Sequence, residues 1–234
     1  MLAVPAAVAK VPNIVICTPP RGDGSVSDVI LVAAELSGVK EIYKIGGAQA
    51  IAAMAYGTQT VPKVHKVLGP CSPFGAAAKQ MVGGLINPGM PAGPSEAIIL
   101  CDESADPDNT ILDVLNEAEH GPDSAGLLIT HDARLAEYVH AGLAKAIAEL
   151  PEPQRGYLTS NMQSYSGVIL TDSLEQSIEV TNLYAAEHVL LKVRDADFVL
   201  PKIVNAGEIL IGENAPSSLG NYGIGTNHVL PTGG

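Results

Sequence analysis

Apolar residues follow two spacings along this chain, and the two spacings alternate throughout. Short β-rich runs, such as 13–17 and 126–130, have the length and composition of strands. Between them lie segments in which apolar residues recur every three to four positions, as on one face of a helix. Strands that alternate with helices are typical of βαβ units and parallel sheets. The sequence therefore predicts an α/β protein with two Rossmann-like, doubly wound units whose sheets are mainly parallel.

One segment interrupts this alternation. Residues 89–94 read Gly-Met-Pro-Ala-Gly-Pro, and this concentration of proline and glycine predicts a crossing between domains at 1–94 and 95–234. The first domain would contain strands at 13–17, 41–45 and 64–68 and helices at 26–36, 48–56 and 74–82. The second would contain strands at 97–101, 126–130, 167–171, 189–193 and 208–211 and helices at 109–119, 133–150, 174–182 and 196–205.

Composition and charge exclude some classes of protein function. The chain has 234 residues, 47% of them hydrophobic, which is enough for one large core or two modest ones. Its net charge of -12 opposes nucleic acid and anionic membranes as partners, because phosphate binding depends on clustered cations. No apolar run approaches the roughly 18 residues of a membrane span, and the stretch 1–9 lacks the basic start of a signal peptide. We expect a soluble, cytoplasmic protein.

The cysteines fit a reducing compartment, since Cys17, Cys71 and Cys101 are widely separated and lack a C-x-x-C spacing. Buried thiols are the simplest interpretation. Cys71, in the loop Gly-Pro-Cys-Ser, stays open as an alternative nucleophile, although no activating motif accompanies it.

A candidate cofactor turn lies where the second predicted strand meets the next helix. The segment 45–50, Ile-Gly-Gly-Ala-Gln-Ala, could turn tightly and leave helix N–H groups free for an anion such as a dinucleotide pyrophosphate. It does not follow the G-x-G-x-x-G pattern. A tight turn without a ligand explains the glycines equally well.

Three short polar segments, at 118–123, 186–188 and 218–234, predict an active site for a small-molecule substrate. Glu117 and His120 are three residues apart at a predicted helix end, where both could bind a divalent metal. The alternative is a histidine attracted to the helix C-terminus. The metal interpretation gains support because the other His-bearing loops also lie at strand ends, the usual place for ligands in open α/β sheets.

Glu187 and His188 precede the predicted strand 189–193. Adjacent strand residues point to opposite faces, so the pair can act together only from the loop before the strand. His188 would then suit a general base and Glu187 could activate a water, whereas the alternative is a surface Glu beside a half-buried His. The glycine-rich terminal loop adds Asn221, Asn227 and His228. The remaining histidines, which we interpret as structural, are His65, His131 and His140.

Several of these motifs, in order over almost the whole chain, resemble histidinol dehydrogenases. They are 46–58, which begins Gly-Gly-Ala-Gln-Ala, 61–64, 69–70, Met-Pro-Ala-Gly-Pro-Ser-Glu at 90–96, Ala-Glu-His-Gly-Pro-Asp-Ser at 118–124, Ala-Glu-His at 186–188 and Gly-Thr-Asn-His-Val-Leu-Pro at 225–231. Members of that family are zinc-dependent, oxidise L-histidinol through the aldehyde to L-histidine with two NAD, and form homodimers that share their active sites. The resemblance implies the same activity, cofactors and assembly here.

The resemblance also implies residue roles. Gln49 and Ser72 match contacts to NAD. Glu187 and His188 match the catalytic pair: His188 would take the alcohol proton as hydride leaves, and Glu187 would activate the water that adds to the aldehyde. Zinc would be bound by Glu117, His120 and Asn221. The substrate would be bound by Ser95, Glu117, His120, His188 and Asn221.

The chain departs from the family pattern in places. Ser72, Glu117 and Asn221 stand where the family usually has Asn, Gln and Asp. We also expect a core truncated at both ends, without the family's first helical region and its last zinc ligand, and therefore without appreciable activity alone. Two alternatives stay open. The chain could be a catalytically silent remnant, or it could be a paralogue that oxidises another polar alcohol such as a sulfonated diol. The Gly-Pro-Cys-Ser and Gly-Asn-Tyr segments also resemble such paralogues.

Overall fold

The computed structural model describes residues 1–90, 92–221 and 229–232, and for Asn221 it describes the backbone alone. The chain divides into two compact units, Met1–Gly93 and Pro94–Gly234. Each unit has its own buried apolar core. Among the described residues, no helix combines the length and the apolar composition needed to cross a membrane.

The first unit has a small sheet and four helices among its described residues. Its elements are α1 (Ala3–Val8), β1 (Val15–Cys17), α2 (Asp28–Leu36), β2 (Glu41–Tyr43), α3 (Gly47–Tyr56) and α4 (Pro73–Met81). The strands β1 and β2 form a parallel pair in which Ile16 lies opposite Ile42. The core of the unit includes Met54 of α3 and Val82, which follows α4.

The predicted strand at 64–68 is wrong. Of the described residues in this segment, only Lys66 makes a β-type bridge, with Asn87, and the bridge is isolated. The Val67 N–H donates to the Asn87 carbonyl at 2.9 Å, and the Val67 side chain lies in the core with α3. The apolar residues that suggested a strand therefore anchor a loop, and the described sheet has two strands instead of three.

The second unit is built on a five-stranded parallel sheet. Its strands are β3 (Glu96–Cys101), β4 (Ala125–Thr130), β5 (Gly167–Leu170), β6 (His188–Lys192) and β7 (Glu208–Ile211). Their spatial order is β5-β4-β3-β6-β7, so the chain proceeds outward on one side of β3 and then continues on the other. This reversal is the topology of a doubly wound sheet. The predicted α/β class with mainly parallel sheets is confirmed.

Helices cover both faces of this sheet. They are α5 (Pro107–Ala118), α6 (Ala133–Ala148), α7 (Gln154–Asn161), α8 (Leu174–Tyr184), α9 (Ala196–Val199) and α10 (Ser217–Asn221). Alternate residues of β3 enter different cores: Ile99 packs with Val114 of α5 and Val139 of α6, whereas Ile98 packs with Ile178 of α8. A strand covered on both faces is apolar along its whole length, which explains why β3 is recognisable in the sequence.

The predicted helix at 196–205 is too long. α9 ends at Val199, and a short 3-10 helix, Leu200–Lys202, follows it. Pro201 has no N–H to donate to an α-helical ladder, which accounts for the break. The apolar pattern gives no signal for α7, because its residues are mostly polar and only two of its side chains, Leu158 and Asn161, are buried.

Gly126 allows α5 to lie close to β4. A Cβ on Gly126 would be 2.2 Å from the carbonyl oxygen of Val114. We therefore expect Gly126→Ala to lower the free energy of unfolding by about 1–3 kcal/mol, because the helix or the strand must shift. Urea unfolding followed by circular dichroism measures this. Gly121→Ala is the control, since its Cβ would meet Ser124 Oγ at an ordinary 3.9 Å. Equal stabilities of the two variants would contradict the predicted clash.

Candidate active site

Four residues predicted for the active site, Ser95, His120, Glu187 and His188, lie at the amino edge of the five-stranded sheet. Ser95 directly precedes β3, His120 lies between α5 and β4, and Glu187 with His188 stands at the start of β6. Because the strands are parallel, their amino ends share one edge. Open α/β sheets usually bind ligands at the carboxyl ends. The segments are thus at strand ends, as expected, but at the edge opposite to the usual one.

The carboxyl edge of the sheet contains a buried cation instead. Lys192, the last residue of β6, has a side chain that is 1% exposed and forms ion pairs with Asp113 of α5 and with Glu213 after β7. The Lys192 Nζ lies 3.3 Å from Glu213 Oε2. A buried charge of this kind is stable only when it is paired, and here two carboxylates pair with it. We interpret these three residues as structural.

His188 is buried between two carboxyl groups. Its side chain is 5% exposed, its Nδ1 lies 2.8 Å from Glu208 Oε1, and its Nε2 lies 3.8 Å from Glu187 Oε1. Glu187 directly precedes β6, and His188 is the first residue of the strand, so the two side chains come together where strand and loop join. The contact with Glu208 fixes one side of the ring and leaves Nε2 on the side of Glu187.

The environment of Glu187 is unusual for a carboxylate. Burial, and after it the nearby Glu117 carboxylate, raises the pKa of Glu187 to about 8. Glu96 and Glu208 act in the same direction, while a hydrogen bond from the Glu96 backbone opposes them. Among the described residues, the buried Glu187 Oε2 has no hydrogen-bond partner. A carboxyl group with a pKa near neutrality is suited to general base catalysis.

Glu117 and His120 lie near each other at the end of α5. The side chain of Glu117 is 3% exposed and that of His120 is 50% exposed. His120 Nδ1 is 3.9 Å from Glu117 Oε2, but it is closer to the carbonyl oxygens of Asn116 and Glu117, at 3.1 and 3.2 Å. The ring therefore interacts with the helix C-terminus, as the alternative interpretation expects, and a ligand would have to bind at Nε2.

The described part of the chain does not contain a complete metal centre. Among the described residues, no group of three or more His, Cys, Asp or Glu side chains is arranged to hold a metal ion. The side chain of Asn221, the predicted third ligand, lies outside the described part of the chain, as do Asn227 and His228. Glu117 and His120 are two donors of types that bind zinc, whereas a structural zinc site has four ligands.

Two residues that the sequence analysis did not single out belong to this edge. Glu208, the first residue of β7, is paired in register with His188. Asn161, at the end of α7, is fully buried and donates from Nδ2 to the carbonyl oxygens of Ala118 and Gly121, at 2.6 and 2.8 Å. It thereby fixes the turn before β4. Both contacts join parts of the chain that are distant in sequence, so local spacing gives no signal for them.

The residues predicted to contact NAD lie at the beginnings of two helices in the first unit. α3 begins without a side-chain cap and carries the exposed Gln49 in its first turn, and Ser72 is the N-cap of α4. Backbone geometry and packing also explain why both positions are glycine. Gly47 has a φ of 64°, and a Cβ on Gly46 would be 2.8 Å from Pro19 Cβ. Both interpretations of this turn fit, and the NAD contacts stay a prediction.

Cys71 shows no sign of activation. Burial raises the pKa of its thiol, and the Lys79 ammonium only partly opposes this. A raised pKa disfavours the thiolate, which is the nucleophilic form. The geometry therefore favours a structural thiol over a nucleophile.

Sequence comparisons connect the chain to known proteins. A family model described as histidinol dehydrogenase matches residues 1–234. The histidinol dehydrogenase of Synechocystis sp. is 53% identical over 234 residues, which cover 100% of this chain and 54% of the relative. A histidinol dehydrogenase homolog of Colwellia psychrerythraea is 48% identical over 233 residues, covering 99% of this chain and 52% of the relative. The chain spans about half the length of the curated relatives that it matches.

Solved structures agree with the sequence matches. A crystal structure of histidinol dehydrogenase from Elizabethkingia anophelis superposes with a TM-score of 0.90 at 38% identity, covering 99% of this chain and 53% of that one. A glyceraldehyde-3-phosphate dehydrogenase from Methanocaldococcus jannaschii, complexed with NADP, gives a TM-score of 0.52 at 12% identity, covering 80% of this chain and 54% of that one. The second likeness shows the fold alone.

Proposed function

The chain belongs to the histidinol dehydrogenase family, and from this premise we propose that it oxidises L-histidinol through L-histidinal to L-histidine with NAD. The observation that carries the proposal is the buried His188, held between Glu208 and Glu187. Oxidation of an alcohol to an acid releases a proton in its first step and consumes a water in its second. His188 and Glu187 are neighbouring groups that can each accept a proton. One can take the proton released in the first step, and the other can take a proton from the water in the second.

His188 acts in the first step. Its Nε2 accepts the proton of the substrate hydroxyl while hydride leaves the adjacent carbon, and the aldehyde results. In the second step ionised Glu187 takes a proton from the water that adds to the aldehyde carbon, and hydride then leaves the hydrate. NAD, when bound, is the hydride acceptor in both steps. The pKa of Glu187, at about 8, makes it a strong base once it is ionised.

The remaining roles follow from the family. We assign NAD contacts to Gln49 and Ser72, a substrate contact to Ser95, and zinc binding to Glu117 and His120 with Asn221. Zinc, when bound, supplies a Lewis acid that polarises the substrate oxygen. The position of His120 supports this assignment, because a metal-bound histidine usually donates its other ring N–H to a carbonyl or carboxylate. A cytoplasmic homodimer is part of the same proposal.

We expect zinc to be bound weakly, because neutral Asn221 replaces a carboxylate and zinc sites depend on the number and placement of their ligands. His120→Ala should remove whatever zinc remains after dialysis against a mild chelator. Elemental analysis measures the zinc, and His140→Ala, at an exposed position on α6, is the matched control. Stoichiometric zinc retained in both variants would rule out this site.

The activity is tested with purified protein, L-histidinol, NAD and zinc. NADH is followed by absorbance and L-histidine by mass spectrometry, and two NADH per histidine are expected. A sulfonated diol is assayed in parallel, since relatives named as homologs of histidinol dehydrogenase also match the chain closely. Turnover of the diol alone would assign the chain to the paralogues. Because the chain spans about half the length of its curated relatives, the assay is run with the chain alone, for which no appreciable turnover is expected, and with the chain complemented by the remaining segments of a relative. Turnover of neither substrate in the complemented assay would contradict the proposal and favour a catalytically silent remnant.

A further inference from the structure

Glu208 is the side chain in closest contact with His188. The two residues begin adjacent parallel strands and are paired in register, which places their side chains on the same face of the sheet. Their side chains are 4% and 5% exposed, and Glu208 Oε1 lies 2.8 Å from His188 Nδ1. This distance is that of a strong, charge-assisted hydrogen bond.

The surroundings of Glu208 leave its carboxylate little freedom. A Cβ on Gly220 would lie 2.6 and 2.9 Å from the two Glu208 carboxylate oxygens, so only glycine leaves them space. The Glu208 N–H donates to the Glu187 carbonyl at 2.9 Å, and a Cβ on Gly207 would be 2.6 Å from that same oxygen. The start of β7 is therefore packed tightly against the Glu187-His188 segment.

An ionised carboxylate can only accept hydrogen bonds, so the ring nitrogen that faces Glu208 must carry a proton. We propose that Glu208 is a positioning residue, which holds His188 in the Nδ1–H tautomer and leaves Nε2 free to accept the substrate proton. This inference rests on the function proposed above for His188. When His188 accepts the substrate proton at Nε2, its Nδ1–H continues to donate to Glu208.

The tautomer can be observed without substrate. In chelator-treated protein with ¹⁵N-labelled histidine, the chemical shifts and long-range couplings of the ring nitrogens distinguish the two neutral forms. We expect Nδ1–H at His188 in the wild type. Glu208→Ala removes the acceptor and should shift His188 towards Nε2–H, whereas Glu208→Gln keeps an acceptor oxygen and should retain Nδ1–H. Glu213→Gln, which alters the carboxylate just beyond the other end of β7, is the matched control.

Kinetics then separate positioning from simple packing. Glu208→Ala should lower kcat by about 10²-fold with little change in KM, and Glu208→Gln should restore part of the loss. An Nε2–H tautomer in the wild type would overturn the proposal, and so would an unchanged tautomer in Glu208→Ala. Should Glu208→Ala not fold, the wild-type tautomer and Glu208→Gln still decide the matter. Absence of turnover in the complemented wild type would contradict the proposed function, but it would leave the tautomer result unaffected.

Discussion

In active, complemented enzyme, replacing His188 by Asn should slow the alcohol step by about 10²–10⁴-fold, and replacing Glu187 by Gln should slow mainly the aldehyde step by a similar factor. The reason is the different position of each group. His188 directs Nε2 away from Glu208 and is the group placed to accept the hydroxyl proton. Glu187 has a buried oxygen without a hydrogen-bond partner among the described residues, and this is the oxygen that we propose accepts a proton from the water.

Single-turnover formation of NADH, started either from the alcohol or from the aldehyde, measures the two steps separately. His140→Asn and Glu179→Gln, at exposed positions on α6 and α8, are matched controls for the two substitutions. Because Glu187 Oε1 is only 3.8 Å from His188 Nε2, each change will also affect the other step somewhat. We expect this secondary effect to be smaller than about tenfold. If both substitutions slowed both steps equally, the two residues would not have separate roles.

The fold could be predicted where the pattern of apolar residues depends on local burial alone. β3 is covered on both faces, and its apolar run at 97–101 identified it in the sequence. The segment 64–68, Val-His-Lys-Val-Leu, also contains β-branched and apolar residues but packs as a loop, because a strand also requires a neighbour that provides a ladder of hydrogen bonds. Whether such a neighbour exists depends on tertiary structure, which composition does not report.

The site was predictable only in part, for a related reason. Glu117 with His120 and Glu187 with His188 are close in sequence, so spacing was enough to suggest that they act together. Glu208 reaches His188 only through the parallel register of two strands, 20 residues apart in sequence. The edge of the sheet at which the site residues lie depends in turn on the order of the strands. Local spacing identifies pairs that are close in sequence, and the sheet determines which distant residues these pairs contact.

Glu187→Gln should also make the metal-free protein more stable at alkaline pH. Burial, and then the Glu117 carboxylate, raises the pKa of Glu187 from 4.5 to about 8 in the folded protein, while the unfolded chain keeps the ordinary value. Below pH 4.5 the carboxyl group is protonated in both states and contributes nothing. Between these two pKa values the folded state holds a proton that the unfolded state has lost. Stability therefore falls as pH rises through this window, by up to about 1.4 kcal/mol per pH unit.

Glutamine carries no charge at any pH, so the variant lacks this loss of stability. The difference in free energy of unfolding between variant and wild type should grow from near zero at pH 5 to on the order of 2–4 kcal/mol at pH 9, with allowance for solvent screening. The groups that face Glu187 are the same in both proteins, namely Glu96, Glu117, Glu208 and His188. Urea unfolding across this pH range, with a chelator present and Glu179→Gln as the control, measures the difference. Parallel curves for variant and wild type would show that Glu187 ionises normally. A widening difference would mean that the group proposed to activate water also destabilises the fold in which it is buried.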